Sequence, residues 1–410
     1  MIQRTIYEKI LKSIETKPVT LITGARQVGK TTICKMLVKE KGYNYVSLDN
    51  SRELSSAVND PAMFLKMHPA PLIIDEVQKC KDLFVEIESI VNEARFNDIE
   101  NRGMYVLTGS QTYNLMENVS ETMSGRVTIV LMSPLSLREI RGLKEEPFLI
   151  DPIRNNKDAL NNPISVNELY DYIVRGFYPE IYDKNIEDID QFYSDYVMTY
   201  IERDVSQIIE LRDKLRFQRF MEILASQTGE ELTYDEIAKG IGVKTDTIQS
   251  WVSILAAGSI ITLLEPYYEN SVMSRVVKRP KIIFNDTGLA AYLSGLNNPT
   301  VLQKSKFNGR FVETYIINEI IKSFRNTGKK AKFYYYRDYD QKEIDLVVLH
   351  EGKLNLIECR SGVSFKGSDV SSFKKLESTN FELSNSGIVC NTDISYSLTD
   401  KYYAVPLASI

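Results

Sequence analysis

The 410-residue chain holds one tryptophan, two histidines and four cysteines, and each scarcity closes a route to function. His68 and His350 stand far apart in sequence and suggest no catalytic pair. Cys34, Cys80, Cys359 and Cys390 form no CxxC pair, which argues against zinc and disulfide frameworks and suits reduced thiols in a cytoplasmic protein. No apolar run approaches the roughly 20 residues that span a bilayer, so no membrane role is expected. The opening MIQRTIYEKI lacks the apolar stretch of a secretory leader. Neither charge sign dominates: 50 Lys and Arg against 55 Asp and Glu leave a formal net charge of −5, with no overall pull toward nucleic acid or anionic lipid. Any such contact must come from a local patch.

What the chain does hold is a phosphate-binding signature. Leu21 to Thr32, LITGARQVGKTT, sets a glycine-rich turn between an apolar strand and a helix-forming run, and matches GxxxxGK[ST]. Gly24 and Gly29 permit backbone conformations that a Cβ would block. The amides of Ala25, Arg26, Gln27, Val28, Gly29 and Lys30 can then turn toward phosphate oxygens at the start of the next helix. Lys30 is expected to reach the β and γ phosphates of ATP, and Thr31, followed by Thr32, to offer its hydroxyl to Mg²⁺. Arg26 flanks the nucleotide or contacts a neighbouring molecule.

A second motif, PLIIDEVQ from Pro71 to Gln78, ends an apolar run in two carboxylates. At this distance from the loop it reads as the strand on which Asp75 holds the Mg²⁺ shell and Glu76 polarises the attacking water. A third strand, MYVLTGSQ, ends in Thr108 and Ser110, where a γ-phosphate sensor would lie. The plainer reading of those hydroxyls is a polar turn after a core strand.

Four sections follow from the patterning, and 43% hydrophobic content can fill several cores at this length. Residues 1–140 alternate strands and helices, which predicts an α/β unit, a P-loop NTPase parallel sheet with helices on both faces. Residues 141–210 form a connecting and helical region: a loop to about 165, a turn at RGFYPEIY, and a long helix over 195–211. Residues 211–300 read as a winged helix-turn-helix, with helices over 217–225 and 245–257, a capping box from Thr233 to Glu236, and a strand-like wing. Its second helix offers Lys244, Thr245, Asp246, Gln249 and Ser250 to DNA, or the winged fold serves packing and oligomerisation instead.

Residues 301–410 carry an amphipathic helix over 311–321 bearing Glu313, then the runs KFYYYRD, EIDLVVL and KLNLIECR. Asp345 and Glu358 fall in or beside adjacent strands, where with Glu313 they would form a second metal site near a phosphodiester. With a helix over 370–376 and the strand SGIVCN, the order is that of an α/β nuclease-like domain of the PD-(D/E)xK type. The lysine expected after Glu358 is Arg360, which stays protonated and cannot act as a base. A nuclease-like fold kept for structure or partner binding stands beside an active nuclease.

GARQVGKTT, SLDN, LIIDEVQ, LTGSQ, SGRV and MSPLSLREI, with RGFYPE, TYIERDV, RPKIIFNDTGLAAYLSG and YYYRDYDQKEIDLVV, resemble in order a group of predicted AAA-type ATPases of bacteria and archaea whose C-terminal half is a domain of unknown function. The resemblance covers nearly the whole chain. It implies ATP hydrolysis, a regulatory role and, in places, nuclease-like chemistry. It also implies a homo-oligomer in which an arginine from a neighbour stabilises charge on the γ-phosphate. Arg126 is the first candidate and Arg203 the second. The winged and nuclease-like modules themselves point to DNA or protein as the partner of the C-terminal half.

Overall fold

The computed structural model describes residues 2–110, 125–201, 205, 214–268, 279–338, 340–377 and 379–410. Five strands form the first sheet: β1 (Val19–Gly24), β2 (Asn44–Ser47), β3 (Leu72–Asp75), β4 (Tyr105–Gly109) and β5 (Val127–Met132). They pair in parallel in the order β2-β3-β4-β1-β5. Alternate side chains divide between the two faces, because successive strand residues point to opposite sides. Ile22, Ile73, Val106 and Val130 join one core with Ile6, Ile33 and Leu37 of the helices Ile6–Ile14 and Lys30–Lys41. Leu21, Ile74 and Leu107 join the other with Phe64, Phe84 and Ile87 of Pro61–Met67 and Asp82–Phe96. Both faces are covered, which is why these strands read as continuous apolar runs.

The expected loop over 141–165 contains a helix, Pro152–Asn161. Asp151 starts it by accepting hydrogen bonds from the amides of Ile153 and Arg154, and Pro152 fills its first position. The Asn- and charge-rich sequence hid a helix set by its cap. The helix expected over 195–211 begins at Ile189 and is described to Tyr200. Further on come Lys214–Ser226, Tyr234–Ile241 and Thr245–Ala257, then the antiparallel pair β6 (Ile261–Leu264) and β7 (Lys281–Phe284). The capping box at Thr233 does not form, since its hydroxyl pairs with the Glu236 carboxylate at 3.0 Å and caps no amide.

The C-terminal sheet is mixed. Its strands are β8 (Lys332–Arg337), β9 (Glu343–His350), β10 (Lys353–Cys359), β11 (Glu382–Leu383), β12 (Ser386–Cys390), β13 (Tyr396–Ser397) and β14 (Tyr402–Pro406). The order is β13-β14-β12-β10-β9-β8, with β11 beside β10; β8, β9 and β10 are antiparallel, and β10, β12 and β14 parallel. The expected helix over 370–376 is a 3₁₀ segment, Gly367–Leu376, with a kink at Val370. The helix expected over 311–321 runs from Asn308 to Asn326 and is not amphipathic: even Glu319 and Lys322 are buried. It lies at the centre of the molecule, touching β5, β7 and β10. Among the described residues no helix is long and apolar enough to cross a membrane.

Candidate functional site

The carboxyl ends of β1, β3, β4 and β5 meet at one edge of the first sheet, as the registers Ile22–Thr108, Thr23–Gly109 and Gly24–Met132 require. The glycine-rich loop rises there. Gly24 has φ +143° and lies so close to β5 that a Cβ would stand 2.2 Å from the Met132 carbonyl oxygen. Gly29 at φ +99° turns the chain into the Lys30–Lys41 helix, and Gln27 between them also takes a positive φ of 60°. The path curls backbone amides around a helix N-terminus, which favours an anion. Lys30 is 7% exposed and its ammonium donates to the carbonyls of Gly24 at 2.9 Å and Ala25 at 2.7 Å. Thr31 is exposed on the first helical turn.

Asp75 ends β3, and Glu76 follows in the left-handed region at φ 58°. Burial pushes the Glu76 carboxyl above the ordinary carboxylate range; Gln78, Lys30 and Arg26 counter it, while the Asp75 charge adds to it. One Asp75 oxygen accepts from the Thr108 hydroxyl and the other from the Tyr45 hydroxyl at 2.8 Å. The Gln78 amide donates to Glu76. Ser110 is 5% exposed, and among the described residues its hydroxyl oxygen finds no hydrogen-bond partner. Lys30, Asp75, Glu76, Thr108 and Ser110 therefore share one edge of the sheet. Tyr45 and Gln78 escaped the sequence reading, although Gln78 belongs to the DEVQ run that was read.

Arg126 is elsewhere. Its backbone carbonyl accepts from Val19 at the foot of β1, and its guanidinium pairs with Glu88 at 2.9 Å. The six residues of β5 separate it from the loop edge, roughly 20 Å at the rise of a strand. It cannot serve its own loop. Arg203 lies outside the described residues.

Residues 16–141 match the model of an AAA domain. That match spans the five-stranded parallel sheet and the helices between its strands. Residues 166–300 and 308–410 each match a domain of unknown function, DUF8612 and DUF4143. An uncharacterized protein of Mycobacterium tuberculosis and one of Mycobacterium bovis are each 23% identical over 412 residues, covering 100% of this chain and 84% of theirs. A Walker-type ATPase of Pyrococcus abyssi is similar with TM-score 0.36 and 14% identity over 70% of this chain and 94% of its own. The AMPPCP-bound DnaA of Aquifex aeolicus gives 0.29 and 14% over 61% and 86%. Scores this low say nothing of activity.

In the DUF4143 region, two of the three carboxylates expected to hold a second metal, Glu313 and Asp345, meet with Glu343, while Glu358 stands outside that trio. Glu313, Glu343 and Asp345 bring their oxygens within 4.8 Å of one another. Two cations already lie among them. The Lys281 ammonium, from β7, is 2.7 Å from Glu313 and 3.9 Å from Asp345, and also pairs with Glu343. Arg360 bridges Asp345 at 2.7 Å and Glu358 at 2.5 Å. Burial alone would lower the Lys281 pKa, yet Glu313, Asp345 and Glu343 hold it well above its ordinary value. Burial raises the carboxyls of Glu313 and Glu358. Glu343 and Lys281 were missed because nothing in sequence spacing links a strand lysine to carboxylates on other elements.

Proposed function

We propose that the chain is an Mg²⁺-dependent ATPase whose nucleotide state acts on its C-terminal modules. The observation that supports this best is the meeting of Lys30, Asp75, Glu76, Thr108 and Ser110 around a curled amide loop at one sheet edge. The donors suit a triphosphate: amides of residues 25–30, an ammonium, and a buried Ser110 hydroxyl that has no hydrogen-bond partner among the described residues. Thr31 and Asp75 would hold magnesium, which when bound neutralises charge on the β and γ oxygens. Lys30 would exchange its two carbonyl partners for phosphate oxygens. Glu76, oriented by Gln78, would polarise the water in line with the γ-phosphorus. Thr108 and Tyr45 fix Asp75, and Ser110 would report the γ-phosphate.

Arg126, at the far end of the sheet, would complete only a neighbouring copy's site, which makes the active form a homo-oligomer. The three helices and the β6–β7 pair have the order of a winged helix-turn-helix. The exposed Lys244, Asp246, Gln249 and Ser250 carry little net charge and favour a protein partner over duplex DNA. In the nuclease-like domain, Lys281 and Arg360 among the carboxylates favour a structural ion-pair knot over a cleavage centre.

Phosphate release with MgATP tests the reading. Lys30→Ala should lose ATP binding, and Glu76→Gln should bind ATP while turnover falls by about 10² or more. Wild-type turnover in Glu76→Gln would remove that residue from its assigned role.

A further inference from the structure

We propose that a buried ionic relay, from Arg4 through Glu139 to the Asn308–Asn326 helix, sets the shape of the glycine-rich loop from the C-terminal half of the chain. Arg4 is its positioning residue. Its guanidinium is 6% exposed and spends three donors on three targets: the Val28 carbonyl at 2.6 Å, the Ser133 carbonyl at 2.8 Å and the Glu139 carboxylate at 3.3 Å. The first contact fixes the peptide between Val28 and Gly29. In a planar trans peptide the N–H opposes the C=O, so holding the Val28 carbonyl on Arg4 turns the Gly29 amide the other way. Rotation of that peptide changes which way a loop donor points.

Glu139 passes the constraint on. It is 4% exposed and accepts from the amides of Thr5 at 2.8 Å and Ser136 at 3.1 Å as well as from Arg4. The segment it organises is then gripped by the central helix. Glu319 accepts from the Leu137 amide at 2.8 Å, Lys322 donates to the Leu135 carbonyl at 2.8 Å, and the two pair with each other at 2.7 Å. Leu135 in turn donates to the Phe177 carbonyl, and the Phe177 amide to Asp286. MSPLSLREI, RGFYPE and FNDTG thus converge on one buried polar hub.

Stability alone does not require such a hub. A buried ion-pair network replaced by apolar side chains of similar volume is often as stable or more so, whereas polar partners specify one geometry. The hub also has a second end: the same helix carries Glu313, bound to Lys281, six residues before Glu319, roughly 9 Å along its axis. A shift at the C-terminal ion-pair knot therefore has a covalent and hydrogen-bonded path to Val28.

The nucleotide arm of this proposal rests on the ATPase reading, and the structural arm does not. Amide hydrogen exchange on the full chain separates them. Without nucleotide, Glu319→Gln, which touches no loop residue, should speed exchange in residues 24–30 by about fivefold or more while β3 stays protected. Unchanged exchange in 24–30 overturns the relay. Lys322→Met, which frees the Leu135 carbonyl, carries the same arm if Glu319→Gln does not fold. With MgATPγS, the wild type should gain protection both in 24–30 and in Asn308–Asn326, and Arg4→Lys should keep the first and lose the second. Absence of any gain in the wild-type loop removes the ATPase reading and leaves the first arm to decide the relay.

Discussion

The Lys281 ammonium lies 2.7 Å from the Glu313 carboxylate, joining strand β7 to the central helix with a side chain only 3% exposed. Removing one partner leaves uncompensated charge in the interior. Lys281→Met is expected to cost about 3–5 kcal/mol, and Glu313→Gln in the same chain should restore part of it. Urea midpoints of the single and double variants check this. A double variant no more stable than Lys281→Met alone would show that the pair is not coupled.

Gly24 and Gly42 both take positive φ, but only Gly24 is crowded. Gly42→Ala meets nothing within 4 Å and should cost about 1 kcal/mol from backbone conformation. Gly24→Ala drives a Cβ against the Met132 carbonyl and should cost clearly more, with weakened MgATP binding. Thermal melts and nucleotide titration of the two variants measure the difference.

Asp75 is held by two hydroxyls, so each can be removed separately. Thr108→Val and Tyr45→Phe should each lower ATP turnover by roughly 10 to 100-fold through a misdirected carboxylate while the fold persists. Steady-state phosphate release with circular dichroism as a control reads both. Unchanged turnover in Thr108→Val would show that Asp75 needs no such support.

Much of the N-terminal unit was legible because parallel strands buried on both faces leave apolar runs, and because phosphate binding needs glycine and lysine at fixed spacing. Asp345 and Glu358 could likewise be placed on neighbouring strands from alternation and turn signals. The Pro152–Asn161 helix was not legible, since a cap and a leading proline formed it without an apolar stripe. Nor were Arg4, Glu319 and Lys322, buried charges whose partners lie 135, 182 and 187 residues away. Local pattern carries no trace of such pairings.

Glu145 gives the hub a pH signature. Burial, with Glu139 and Glu319 nearby, raises its carboxyl from 4.5 to about 7, although Asn326 donates to it at 2.9 Å. The folded state therefore binds the proton more tightly than the unfolded state. The stability it contributes is full below about pH 4.5 and is lost as pH rises through about 7. Glu145→Gln should flatten that decline, by up to about 3 kcal/mol, in urea melts between pH 4.5 and 8.

Calorimetric titration of the full chain with MgATP tests the central claim most directly. The wild type and Glu76→Gln should bind with micromolar or tighter affinity, about −8 kcal/mol or better, and Lys30→Ala should show no heat of binding. Equal binding by the wild type and Lys30→Ala, or none by the wild type with any magnesium-complexed nucleotide, would contradict it.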